Sequence, residues 1–197
     1  MANGTLVMLH GMTGTSDKMQ PLAERLCPSG WDVLCPQATI EHPTRGGFAW
    51  WLRADDPTLP LDDYSMGQVD ESMQQVISQM PDGPLIVGGF SQGGAIASAL
   101  LETDLQERIL GLVLLGTKTV RPDSLTASLP FLHPREVIWM HGSRDHLVPM
   151  HLAVEQVEIF EAADWPVTRL EHEKGHMVNL NQFDELKAGI QRMADSA

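Results

Sequence analysis

The stretch Gly89-Phe90-Ser91-Gln92-Gly93-Gly94 decides how this chain folds. A short apolar run, residues 84–88, leads into it, and residues 95–101, apolar on every side, follow it. The first pattern predicts a strand covered on both faces and the second a buried helix. Between them stands G-x-S-x-G, a tight turn that lifts a serine above the edge of a sheet as a nucleophile. Glycines flank such a serine because the strained turn brings neighbouring backbone too close for a Cβ. The helix that follows points its N-terminus at the serine, which favours negative charge there. A phosphate-cradling loop would need a Lys-Ser/Thr pair after its glycines, and none follows Gly94.

Outward from this turn, short apolar runs alternate with amphipathic ones. Residues 5–9, 31–35, 84–88, 109–115, 136–140 and 165–170 predict strands. Met19, Leu22, Ala23 and Leu26 predict a helix by their spacing, as do Val69, Met73, Val76 and Met80. Ala153, Val157 and Phe160 predict another, and Phe183, Leu186, Ile190 and Met193 a last one. This alternation predicts one α/β domain over residues 1–197. It is a three-layer sandwich on a mostly parallel sheet of about six strands, with a minimal cap or none. Residues 41–64 and 117–135, rich in proline and glycine, read as long irregular loops.

A serine hydroxyl attacks only when a base takes its proton and an acid orients that base. In this architecture the acid and then the base follow the serine along the chain. Asp145 ends the run after residues 136–140, at the sheet edge where such folds place their sites. Taken singly it could equally cap the next helix. Two histidines follow the last strand. His172 reads as strand end, whereas His176 comes after the turn residue Gly175, so His176 is the candidate base.

Residues 172–176 also spell H-E-x-x-H, which would make His172 and His176 ligands of a zinc hydrolase. That motif needs a helix to bring its histidines together, and here it follows a strand and contains Gly175. His141, His146 and His151 span a strand end, a turn and a helix start, so no metal site is expected from them. The N–H groups of Gln92 and Met12 are the candidate oxyanion donors, because strands one and three adjoin in a doubly wound sheet. The run Phe48-Ala49-Trp50-Trp51-Leu52 is too apolar for a solvated loop. Trp50 and Trp51 are therefore candidate substrate-binding residues, against the alternative of plain core contacts.

Composition narrows the partners. The formal net charge of −13 repels phosphate backbones, which excludes nucleic acid as an expected ligand. No apolar run approaches a membrane span, and the start of the chain does not resemble a signal peptide, so a cytoplasmic protein without membrane insertion is expected. Cys27 and Cys35 predict two buried free thiols.

Leu9-His10-Gly11, Cys35-Pro36-Gln37-Ala38, the run around Ser91, residues 141–149 and Gly175-His176 together resemble the phospholipase/carboxylesterase family of α/β-hydrolases. That group includes acyl-protein thioesterases and small carboxylesterases. The resemblance implies hydrolysis of small-molecule carboxylic esters or thioesters without a cofactor. Short- to medium-chain esters are the expected substrates, and a homodimer is compatible with the sequence. A ligand-binding protein that keeps the fold without the chemistry is the alternative.

Overall fold

The computed structural model describes residues 3–53 and 58–197. Residues 54–57, part of the loop expected over 41–64, lie outside that description. The chain runs β1 (Thr5–Leu9), α1 (Ser16–Leu26), β2 (Asp32–Leu34), β3 (Ile40–Glu41), β4 (Phe48–Ala49) and α2 (Asp63–Ile77). It continues through β5 (Leu85–Phe90), α3 (Gln92–Ala99), β6 (Ile109–Leu115) and α4 (Pro122–Ser128). Last come β7 (Glu136–Gly142), α5 (Met150–Ala162), β8 (Val167–His172) and α6 (Phe183–Ala194).

Six strands form one parallel sheet in the order β2-β1-β5-β6-β7-β8. Successive side chains of a strand point to opposite faces, and here both faces are buried. Leu6 and Met8 pack with Met19, Leu26, Leu186 and Ile190 of α1 and α6. Val7 and Leu9 pack with Val69, Ile96 and Val157 of α2, α3 and α5. Strand sequences that must be apolar on both faces lose polar alternation, which is why they read as continuous apolar runs. Order reverses between β1 and β5, so the turns after these two strands meet at one edge of the sheet.

Three features depart from the sequence reading. Residues 41–64 are not simply irregular: β3 and β4 pair as a small antiparallel hairpin, Ile40 opposite Ala49 and Glu41 opposite Phe48. Strands of two residues are too short to show any period. Residues 117–135 contain α4, opened by Pro122 at its first turn and anchored by buried Leu125. The helix has seven residues, too few for a repeated apolar face. Cys27 and Cys35 are free, as expected, but half-buried rather than buried.

Candidate active site

Ser91 lies between β5 and α3 with φ 55° and ψ −119°. A non-glycine residue rarely adopts positive φ, and the surroundings must hold it there. They do so from both sides. The Ser91 N–H donates to the Leu115 carbonyl at 2.8 Å, and the Thr117 hydroxyl donates to the Ser91 carbonyl at 2.7 Å. Two residues on, a Cβ at Gly93 would strike the carbonyl of Leu9, so only glycine lets α3 start this close to β1.

Asp145 follows β7 and is 6% exposed. Its Oδ1 accepts the N–H groups of Leu147 and Val148, each at 2.8 Å, and its Oδ2 meets His176 Nδ1 at 2.6 Å. Burial alone would raise the carboxyl pKa. The hydrogen bond to His176, helped by the two backbone N–H groups, prevails and holds it below the usual aspartate value. Since Oδ1 is filled from the backbone, Oδ2 is left to orient the imidazole. The Asp145 turn and the His176 contact are thus one arrangement, and the helix-cap alternative falls away because α5 starts from Pro149.

His176 stands after β8 with its ring 4.6 Å from that of Phe90, the residue before Ser91. His172 is the last residue of β8, paired in register with Gly142, and its Nδ1 accepts the Lys174 N–H at 3.2 Å. The stretch between the two histidines is bent and not helical, so it lacks the geometry that H-E-x-x-H requires. Among the described residues, no three His, Cys, Asp or Glu side chains are grouped to hold a metal.

One cavity of about 720 Å³ is walled by Ser91, His176, Gln92, Met12, Trp51 and their neighbours. Met12 belongs to the turn after β1, where Thr13 takes a φ of 66° and gives its own N–H to the Phe48 carbonyl at 2.8 Å. His10 braces this turn. Its Nε2 accepts the Ala38 N–H at 3.1 Å, which leaves the ring proton on Nδ1 to donate to the Gly11 carbonyl at 2.8 Å. Burial lowers the His10 pKa and keeps the ring neutral, as that pattern requires. Gln37 Nε2 also meets His10 Nε2 at 3.1 Å.

The two tryptophans part company. Trp51 stands on the cavity wall, although it too is buried, at 4% exposure, in the same apolar cluster as Trp50. Trp50, expected beside it, is instead a core residue with no exposure: its indole N–H donates to the His10 carbonyl at 2.7 Å, and its ring lies 5.1 Å from that of His10. Both follow the end of β4, where the chain bends, so Trp51 reaches the cavity wall while Trp50 is given wholly to the fold. Sequence reasoning also missed His141, which is fully buried, donates from Nε2 to the Val148 carbonyl at 2.9 Å and stacks on Trp139. Its position four residues before Asp145 was the available signal.

A parallel sheet with its serine elbow, and an Asp–His pair at the same edge, define an α/β-hydrolase. The family model for the alpha/beta hydrolase fold matches residues 4–136, and the chain belongs to that family. Its relatives are of the phospholipase/carboxylesterase type. The chain is similar to "Acyl-protein thioesterase 1" of Cryptococcus neoformans, at 30% identity over 78% of this chain and 71% of that protein. It is also similar to "Acyl-protein thioesterase 1" of Saccharomyces cerevisiae, at 26% identity over 81% and 78%. Among solved structures, the Bacillus cereus carboxylesterase superposes with a TM-score of 0.76 at 18% identity, covering 97% of this chain and 89% of that one. Among the described residues, no helix is long and apolar enough to cross a membrane.

Proposed function

We propose that this protein is a serine carboxylesterase that hydrolyses short- to medium-chain carboxylic esters, with thioesters as a second substrate class. Ser91 Oγ attacks the carbonyl carbon while His176 Nε2 takes its proton. Asp145 holds the other imidazole nitrogen and stabilises the imidazolium that forms. The N–H groups of Met12 and Gln92 receive the oxyanion of the tetrahedral intermediate. Collapse expels the alcohol or thiol, protonated by His176, and leaves an acyl-serine ester. Water, deprotonated by His176, then releases the acid and restores Ser91.

The observation that carries this reading is the 2.6 Å contact between His176 and Asp145 on the cavity where strained Ser91 stands. The acyl-protein thioesterase relatives agree with it. Beyond Trp51 a second trough of about 460 Å³ offers an apolar wall of Leu59, Leu61, Met66 and Val120 for an acyl chain, alongside the charged Arg53, Asp62, Lys118 and Glu155. A fluorophosphonate probe should label the native protein and fail to label Ser91→Ala. A panel of p-nitrophenyl esters from acetate to palmitate should peak at short or medium chains. Labelling of Ser91→Ala as strong as that of the native protein would overturn the proposal.

A further inference from the structure

The wall of the catalytic cavity is charged against the rest of the molecule. The chain carries 26 Asp and Glu against 13 Lys and Arg. Yet four of those cations, Lys18, Arg45, Arg53 and Lys118, line this cavity, and no Asp or Glu does so among the described residues. The nearby carboxylate of Asp145 is buried with both oxygens engaged. A neutral ester gives no reason for such a concentration of cations. An anionic one does, because a chain of net charge −13 otherwise repels it.

Arg53 and Lys118 have partners within the protein. Lys18 and Arg45 are exposed, and neither forms an ion pair among the described residues. The fold brings these two to one mouth from separate segments. Lys18 sits in the first turn of α1, where its N–H is capped by the Thr15 hydroxyl at 3.2 Å. Arg45 sits at the tip of the β3–β4 hairpin, where its N–H donates to His42 Nδ1 at 3.2 Å. Phe48 of the hairpin fastens this tip to the turn after β1: its N–H donates to the Gly14 carbonyl at 3.1 Å, and its carbonyl accepts the Thr13 N–H. Gly47 lies so close to the Thr13 carbonyl that any Cβ there would collide with it. The hairpin is therefore locked beside the Met12 turn, and its cation is held over the cavity rather than left on a free loop.

We infer that Lys18 and Arg45 form an anion-recognition rim, and that the substrate is an ester carrying a carboxylate beyond the scissile bond. This rests on the hydrolase reading above and deepens it by naming the substrate class. The rim raises the local concentration of anionic esters and orients them on entry.

The test uses two ester pairs matched in size. In the first, the monoester of p-nitrophenol with glutaric acid is compared with p-nitrophenyl valerate, which places the charge on the acyl group. In the second, the butyrate ester of p-hydroxybenzoate is compared with that of its methyl ester, which places the charge on the leaving group. In at least one pair the anionic member should show about tenfold higher kcat/KM at low ionic strength, and about 0.5 M salt should erase most of that advantage. The double variant Lys18→Glu, Arg45→Glu should lower the anionic-to-neutral ratio about tenfold with an unchanged melting temperature. Equal rates within each pair, or a ratio unmoved by the double variant, would overturn the inference while fluorophosphonate labelling and neutral-ester turnover left the hydrolase intact. No turnover of any ester together with no labelling would overturn both.

Discussion

The side chain of Gln92 is bound to the backbone at Trp50: its Oε1 accepts the Trp50 N–H at 3.0 Å, while its Nε2 donates to the Trp51 carbonyl at 2.9 Å. The first residue of the helix behind Ser91 thereby fixes the segment that carries the aromatic cavity wall. Ser72 of α2 completes the clamp by donating to the Trp50 carbonyl.

Gln92→Ala should cost about 1–3 kcal/mol of stability, because a buried donor and a buried acceptor lose their partners. The backbone N–H proposed for the oxyanion remains, so the drop in kcat/KM should grow with acyl length as Trp51 loses its support. Chemical denaturation and the ester panel measure the two effects, and a uniform drop across chain lengths would assign Gln92 to the oxyanion alone.

Trp50→Ala and Trp51→Ala should behave differently. Trp50 fills the core, so its loss should cost about 3–5 kcal/mol and depress activity on every ester alike. Trp51→Ala should reduce kcat/KM more for longer acyl chains than for acetate, up to about 0.8 kcal/mol per methylene that loses contact. Melting curves and the ester panel separate the two. Similar selectivity profiles for both variants would show that Trp51 does not contact the acyl chain.

At the elbow, Ser91→Ala should lower kcat by more than about a hundredfold without unfolding the protein. Ser91→Gly should be equally inactive yet at least as stable as Ser91→Ala, since glycine adopts a φ of 55° without strain. A Gly variant melting well below the Ala variant would show that the turn is not strained at Ser91.

His176→Ala should inactivate as fully as Ser91→Ala, because among the described residues no other ring meets Asp145 Oδ2 at hydrogen-bonding distance; His141 Nε2 is 3.6 Å away and is given to Val148. His172→Ala should keep most activity, and prolonged chelation should leave the native enzyme unchanged. Loss of activity on chelation, restored by Zn²⁺, would instead revive the H-E-x-x-H reading.

Stability should fall as pH drops below neutrality. Burial lowers the pKa of His10, His141 and His172, so the unfolded chain binds protons near pH 6.5 that the folded chain refuses. Stability therefore rises with pH between the lowered folded values and about 6.5, by at most about 1.4 kcal/mol per pH unit for each of the buried His10 and His141, and by less for the more exposed His172, which water screens. His141→Gln retains an N–H donor for the Val148 carbonyl and should flatten that slope. An unchanged slope in urea titrations between pH 5 and 7 would show that His141 takes up its proton in the folded state.

The sequence by itself determined the parallel sheet, the elbow at Ser91 and the positions of Asp145 and His176 after their strands. These are local properties. A strand buried on both faces must be apolar throughout, a helix over the sheet must repeat its apolar face, and a turn that tight must contain glycine. Tertiary structure alone decided that Trp50 turns into the core while Trp51 faces the cavity, that His10 leans on Ala38, and that Gln92 clamps both tryptophans. It also decided that a hairpin of two-residue strands carries Arg45 to the mouth opened by Lys18. Each of these relations joins residues distant in the chain, or gives adjacent residues different surroundings. Its energy comes from burying a polar group with its partner or from a collision avoided at Gly47, and neither leaves a period in the sequence.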